Sequence, residues 1–308
     1  MSTQATPAFE AAAGGSPASK LAATLRRALA ALRGILRTRH GAIGLTLLVA
    51  LAVLAVLAPW IAPYGPFEQT PRSLAPPGGP HHFGTDNVGR DIFSMVVYGT
   101  RASLAIGFGA AFAALVVGGS IGILAGYFGG WVEAVLMRVT ELFQTLPVIL
   151  FVLLAVALFG SSFWLLIAAV TLAIWPVEAR LVYGQTLKLR EREFIAAARV
   201  IDLPTSHIIW REILPNAMQP VIVQVALDAS VAVLIEAGLG FLGLSDPNMI
   251  SWGQLLFSAQ DYMHQAWWMS VFPGAAICLA VIGFNLFADG LNELSDAHRL
   301  GRHSGLPH

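Results

Sequence analysis

Residues 102–132 read ASLAIGFGAAFAALVVGGSIGILAGYFGGWV, 31 consecutive positions without a charged side chain. A helix rising about 1.5 Å per residue needs roughly 20 apolar residues to cross a hydrocarbon core of about 30 Å. Backbone placed in lipid has no water to bond, so a run of this kind has to be a helix that satisfies its own amides and carbonyls. Gly118, Gly122, Gly126 and Gly130 recur at every fourth position of the stretch. On a helix they form a smooth stripe against which another helix backbone can approach closely. Residues 118–122 also match the G-x-S-x-G pattern of a hydrolase nucleophile. That elbow requires a strand, a turn and a helix in succession, a context lacking here, so packing is the better reading.

The whole chain has the same character. Of its 308 residues 56% are hydrophobic and 12% charged, about half the charged share of a soluble domain. Lipid is therefore the solvent for most of it. The net charge of zero argues against a nucleic-acid binder. The single cysteine, Cys278, excludes an intramolecular disulfide and reads as a small buried apolar residue.

Working outward, residues 41–62 are uncharged for 22 positions. That exceeds the roughly 7–15 apolar residues of a cleaved secretory signal, so a retained first transmembrane helix is expected. Residues 1–40 form an N-terminal tail, expected to be disordered to about Lys20 and basic from there through Arg26, Arg27, Arg33, Arg37 and Arg39. Beside a spanning helix, these arginines are better read as a cytoplasmic anchor on anionic lipid than as a nucleic-acid patch. After an external segment at 63–100, a core at 101–298 should hold five more spans. The second lies in 102–132, with a turn at Gly129-Gly130. The third runs from about Glu133 to Leu158, the fourth over 163–181, the fifth over 215–237 and the sixth within 262–288. A short tail follows at 299–308. Pro147, Pro176, Pro220 and Pro273 predict kinks within these spans. With the N-terminus inside, 15 of the 18 Lys and Arg residues fall on cytoplasmic segments. Only Arg72, Arg90 and Arg101 remain outside, which sets the orientation with both termini cytoplasmic. Trp60, Trp131, Trp164, Trp267 and Trp268 fall at span ends as interfacial anchors.

The sequence has no P-loop lysine, since Lys20 follows Ser19 and Lys188 follows Leu187. It likewise lacks an H-E-x-x-H metal pair. If this chain carries out active transport, its energy must come from an ion gradient or a partner. The cytoplasmic stretch at about 184–216 bears on that choice. Residues 185–201 read as an amphipathic helix with Leu187, Phe194, Ala197, Ala198 and Ile201 on its apolar side. Asp202-Leu203 interrupts it, and Pro204 starts a second helix. A charged and apolar helix-turn-helix between two spans suits docking of a cytoplasmic partner.

Phe194-Ile195-Ala196-Ala197-Ala198-Arg199-Val200-Ile201-Asp202, followed by Ile213-Leu214-Pro215-Asn216, resembles the EAA loop of binding-protein-dependent ABC importer permeases. The family's glutamate aligns with Ala196 and its glycine with Asp202, a residue that tolerates the left-handed turn better than most. Residues 82–94, which include Gly84-Thr85-Asp86 and Gly89-Arg90-Asp91, resemble the G-T-D-x-x-G-R-D element of the dipeptide, oligopeptide and nickel permeases. That element marks the second permease of a pair. Gly240-Phe241-Leu242-Gly243-Leu244, Ser251-Trp252-Gly253 and Phe284-Asn285-Leu286-Phe287-Ala288-Asp289-Gly290-Leu291 match the same family's C-terminal pattern. The resemblance implies an all-α membrane protein of the type I ABC importer permease fold in a bacterial inner membrane. It implies a second homologous permease, two ATPase subunits and an external solute-binding protein as partners. ATP and magnesium would belong to the ATPases, with no cofactor and no enzymatic activity in this chain. Peptides are the expected cargo, with nickel chelates or glutathione as alternatives. Coupling to the ATPases would fall to Arg199, Ile201, Asp202, Leu203, Pro204, Thr205 and His207.

Two carboxylates, Asp228 and Glu236, lie inside the fifth apolar span. An ionised carboxylate there costs at least roughly 2.5 kcal/mol unless it faces protein or water. Eight positions apart, they project within about 80° of each other on a helix. They suit a translocation path that meets the substrate's ammonium, an external gate, or a structural contact between permeases. An ion-coupled secondary transporter using the same two residues is the rival reading. Asp86 and Asp91 suit the start of a short interfacial helix over 92–98. His81-His82, adjacent and unsupported, do not by themselves make a metal site.

Overall fold

A computed structural model describes residues 32–303, with side chains described through residue 294. Of the tail expected over residues 1–40, residues 1–31 lie outside the described residues, as do the side chains of Arg299 and Arg302. Among the described residues there are helices and isolated bridges but no strands. After a helical segment at 32–37, α1 (Arg39–Ile61) is capped by the Thr38 hydroxyl, which accepts from the Gly41 amide at 3.2 Å. Then come α2 (Ile92–Phe128), α3 (Gly130–Thr145), α4 (Val148–Phe159) and α5 (Phe163–Arg190). A hairpin contains α6 (Glu193–Val200) and leads into α7 (Thr205–Phe241). A short α8 (Trp252–Ala259) precedes α9 (Trp268–His303).

Five of these helices are long and apolar enough to cross a membrane, and α3 with α4 would make a sixth span. The break expected at Pro147 within the third span is there, and α3 and α4 meet at 86°. Pro147 has no amide to continue α3, and the residue before a proline is driven out of the helical region. Leu146 accordingly sits at φ −80°, ψ 130°. By contrast, Pro176, Pro220 and Pro273 lie within unbroken helices. The expected short helix over 92–98 is corrected: it is the first part of α2, which runs 37 residues without interruption. Gly129 and Gly130, at φ 68° and 58°, make the turn between α2 and α3. Trp60, Trp131, Trp164 and Trp267 are exposed at helix ends. Trp268 is not an exposed anchor, because it is buried and its Nε1 donates to the Thr85 carbonyl at 3.1 Å. Cys278, read as buried, is exposed.

The stripe on α2 faces α5 backbone. A Cβ at Gly118 would sit 2.8 Å from Ala179 N, and one at Gly122 would sit 2.5 Å from Ala179 O. At Gly126 the obstruction is the Thr186 side chain at 2.7 Å. A second close contact joins the ends of the chain. Gly44 of α1 lies against the Phe287 backbone and Gly290 of α9 against Gly41. The main core gathers α2, α7, α8 and α9 around Trp252, Phe284, Met95 and Met269. Trp252 is fully buried and donates its Nε1 to Val96 O at 3.0 Å.

Pro59 leaves the Ala55 carbonyl of α1 without its helical donor. Arg101 of α2 supplies one, with Nε on Ala55 O and Nη2 on Val56 O at 3.0 Å. Arg101→Met should therefore lower the thermal midpoint of the purified protein. The loss should shrink in a Pro59→Ala background, where an alanine amide can reach Ala55 O. A double-mutant cycle should show coupling of about 1 kcal/mol; purely additive losses would exclude this pairing.

Candidate functional site

The hairpin between α5 and α7 is built on a small apolar core of its own. Ile195, Ala198, Ile208 and Ile213 are buried there, with Tyr127, Leu189 and Leu203 packed against them. The helix expected over 185–201 is divided: residues up to Arg190 belong to α5, and α6 begins at Glu193. Its faces differ from the sequence reading too. Ile195 and Ala198 point inward, whereas Phe194, Ala197 and Ile201 are exposed. The reason is that α6 packs its inner side on α7 and the end of α2, leaving the remaining apolar residues outside.

Asp202 occupies the left-handed region at φ 56°. This lets the Leu203 amide reach Ala198 O at 3.1 Å and the Asp202 amide reach Arg199 O at 3.0 Å. Pro204 then stands at the N-cap of α7. A wider turn of π type over Ile208–Ile213 follows. It lies immediately before Pro215, whose ring would clash with the Arg211 carbonyl in a regular helix. Of the residues expected to dock a partner, Arg199, Ile201, Asp202, Pro204 and Thr205 are exposed. Leu203 and His207 are half-buried. The Arg199 guanidinium lies 5.5 Å from the centre of the Tyr127 ring, tying the hairpin to the end of α2. Val200, Ile201 and Trp210, exposed by 85, 69 and 68%, give the hairpin an apolar outer rim.

Of the three acidic residues of α7, Asp228 and Glu236 are buried, at 4% and 1% exposure, and Glu212 is not. The two buried ones do not share one cavity. Gln224 Nε2 donates to Asp228 Oδ1 at 2.8 Å, while Ser103 of α2 donates to Glu236 Oε2 at 3.1 Å. A third buried carboxylate, Glu178 of α5, has no exposed surface and interacts electrostatically with Asp228. Beyond the contact of these two carboxyl groups with each other, Asp228 Oδ2 and both Glu178 oxygens have no hydrogen-bond partner. Sequence reasoning missed Glu178, although a carboxylate within an apolar run was the signal that singled out Asp228. Its position two residues before Arg180 resembled the end of a span. In fact α5 continues to Arg190.

On the other side, residues 69–94 fold into a compact cap. Asp86 accepts from the Val88 and Arg90 amides through Oδ1, and from Arg90 Nε through Oδ2 at 2.6 Å. Asp91 caps α2, accepting from Ser94 N at 2.8 Å through Oδ2 and pairing with His81 Nδ1 at 3.0 Å through Oδ1. His82 instead faces out and meets the edge of Phe93. Phe83 stacks on Phe272 of α9, with ring centres 3.8 Å apart. The two histidines thus point to different surroundings, and the conspicuous acidic residues of this element have structural partners.

An open groove of about 630 Å³ is lined by Glu133, Arg138, Glu141, Arg180 and Tyr183. An apolar groove of about 330 Å³ lies between α1, α2, α7 and α9.

Known proteins share this architecture and sequence. A chain of the MetNI methionine ABC transporter, solved in inward-facing conformations, superposes with a TM-score of 0.55 at 18% identity, covering 66% of this chain and 97% of that one. This likeness supports the fold. The dipeptide transport system permease protein DppC of Alkalihalophilus pseudofirmus is 37% identical over 86% of this chain and 88% of its own length. A probable D,D-dipeptide transport system permease protein of Escherichia coli is 35% identical over 84% of this chain and 87% of its own. A putative peptide transport system permease protein of Brucella suis reaches 39% over 86% of this chain and 90% of its own. Residues 30–77 match the N-terminal transmembrane domain of oligopeptide transport permease C. With residues 118–300 matching the family model as well, the chain belongs to the binding-protein-dependent transport system inner membrane component family.

Proposed function

We propose that this protein is a permease subunit of an ATP-driven peptide importer in a bacterial inner membrane. It forms the translocation path with a second permease and receives di- or oligopeptides from an external binding protein. The observation that carries this reading is the hairpin, a preformed cytoplasmic wedge with its own core and an apolar outer rim. Two ATPase subunits would grip it through Arg199, Ile201, Asp202, Leu203, Pro204, Thr205 and His207, and would hold the ATP and magnesium. Both termini face the cytoplasm in this reading, following the bias of the basic residues.

Asp228 and Glu236 are buried within the chain, so each serves the path or gate through the helix contacts it makes. The buried acidic pair of Glu178 and Asp228 favours a second reading, a carrier that moves an ion through it. Reconstitution separates the two. An importer should take up peptide only with ATPase subunits, ATP and binding protein present. Uptake by the chain alone, driven by a proton or sodium gradient, would establish the carrier. The binding protein purified from the same cells should yield peptide on extraction. A nickel chelate or glutathione recovered in its place would reassign the cargo while leaving the machinery unchanged.

A further inference from the structure

Glu178 of α5 and Asp228 of α7 bring two carboxyl groups together inside the fold. Glu178 has no exposed surface, and Asp228 is nearly as well covered. The glycine stripe of α2 lies over the pair, since a Cβ at Gly118 would stand 2.9 Å from the Glu178 Cβ. The two carboxyl groups touch each other, and Gln224 Nε2 donates to Asp228 Oδ1 at 2.8 Å. Asp228 Oδ2 and the Glu178 oxygens are left to one another.

No neighbouring charge compensates them. Helix α2 has no charged residue after Arg101, and α4 has none. On α5 the cation nearest in sequence, Arg180, is exposed and lines the open groove with Glu133, Arg138 and Glu141 of α3. On α7, Glu236 is bonded to Ser103, while Arg211 and Glu212 lie at the hairpin end. Asp289 and Glu293 of α9 are exposed. Among the described residues, no cation acts on either carboxyl group.

Two carboxylates in contact cannot both ionise in such surroundings, because desolvation and mutual repulsion add. Nor can two ionised groups bond each other, since a carboxylate only accepts and one of the pair has to carry a proton to donate. The donors already present decide which. Gln224 gives Asp228 a hydrogen bond that favours a carboxylate there, whereas Glu178 receives none. A proton on Glu178 satisfies the open oxygen of Asp228. A proton on Asp228 would leave Gln224 facing a poorer acceptor.

We propose that Glu178 and Asp228 form a proton-binding site that holds one proton, carried on Glu178 and donated to Asp228 Oδ2. The bond fastens α5 to α7, the two helices that the hairpin joins. This fastening is distinct from ion carriage, since it requires the proton to stay. The site depends on the chain alone. If the chain is the importer permease proposed above, a hairpin movement that parts α5 from α7 has to break this bond.

Infrared spectra of the full chain in lipid vesicles at neutral pH test the proposal. A protonated carboxylic acid absorbs apart from carboxylates and amides, and its band shifts on exchange into deuterium oxide. One component of that band should disappear in Glu178→Gln. It should move without loss in Asp228→Asn, where the acceptor becomes a neutral amide. Any signal from Glu236 stays unchanged in both variants. In the parent, an isotope label on the glutamate carboxyl carbons should move the component, a readout that needs no substitution. Glu178→Gln should keep the thermal midpoint within about 2 °C, because the glutamine amide donates in place of the hydroxyl. Glu178→Met, which has no donor, should lower it by about 5 °C. A parent without a protonated glutamate overturns the proposal, as does a component that survives Glu178→Gln and vanishes in Asp228→Asn. Loss of the component on adding sodium or lithium chloride would give the site to a metal ion and overturn it too. Equal midpoints for the glutamine and methionine variants would refute the fastening.

Discussion

Replacing residues 194–213 with a glycine-serine linker of equal length is expected to abolish transport-coupled ATP hydrolysis while the spans remain inserted. The hairpin buries its own four-residue core of Ile195, Ala198, Ile208 and Ile213, separate from the cores that join the spans. Its removal therefore takes away the wedge without hollowing the membrane portion. Tyr127 and Leu189, at the ends of α2 and α5, lose apolar cover, as does the small cluster of Ile123, Val182 and Val221 against which Ile209 packs. ATPase assays in nanodiscs should fall to the rate of the ATPase subunits alone, and peptide uptake should fall to background. Normal coupled activity with the linker would sink the coupling role.

A point variant gives a finer version of the same test. Asp202 holds a left-handed conformation at φ 56°, which costs an ordinary residue about 1–2 kcal/mol and a β-branched one more. Asp202→Val should strain the turn, displace Pro204 and Thr205, and lower coupled hydrolysis several-fold. Asp202→Gly should match or exceed the parent, since glycine adopts this conformation freely. If glycine fails as badly as valine, the carboxylate itself is the contact, and the turn geometry is secondary.

The spans were legible because each contains a long, mostly apolar run, and lipid leaves such a run one regular structure. Gly129-Gly130 and Asp202 were legible for a local reason, since their turns require residues that tolerate positive φ. What the pattern concealed was tertiary. Pro147 broke its span while Pro176 did not, and the two look alike in sequence. The difference lies in the surroundings. The segment before Pro147 carries Glu133, Arg138 and Glu141 on an amphipathic helix, whereas Pro176 is buried within a helix packed along α2. The candidate site followed the same rule. The position of the hairpin could be read from its charges and its Leu-Pro-Asn exit. Which face of α6 points inward depends on Tyr127, nearly seventy residues earlier in the chain. Asp228 and Glu236 stood out as charges in an apolar run, but their separate partners, Glu178 and Ser103, come from two other helices.

Gly122→Val is expected to cost the protein most of its folded yield. The added Cβ would lie 2.5 Å from Ala179 O and 2.8 Å from Tyr183 N. Both atoms are backbone, so no side chain can rotate away, and α2 and α5 must separate. Overpacking in a core costs about 1–3 kcal/mol even where side chains can yield. A rigid backbone contact should exceed that range. The damage would also spread along the interface. Glu178 lies on it, with its Cβ 2.9 Å from where a Gly118 Cβ would stand, so parting the helices disturbs the contact with Asp228. Gly184 on α5 supplies the control, because a Cβ there meets nothing within 4 Å. Gly184→Ala should be neutral or gain up to about 1 kcal/mol from reduced backbone freedom. Fluorescence-detected size exclusion and thermal melting of the variants in nanodiscs would measure both effects. The graded series Gly122→Ala, Gly122→Ser and Gly122→Val should lose stability as volume increases. A flat series, or a loss at Gly184 equal to that at Gly122, would mean that the glycines act through backbone flexibility and that the α2–α5 contact is not what requires them.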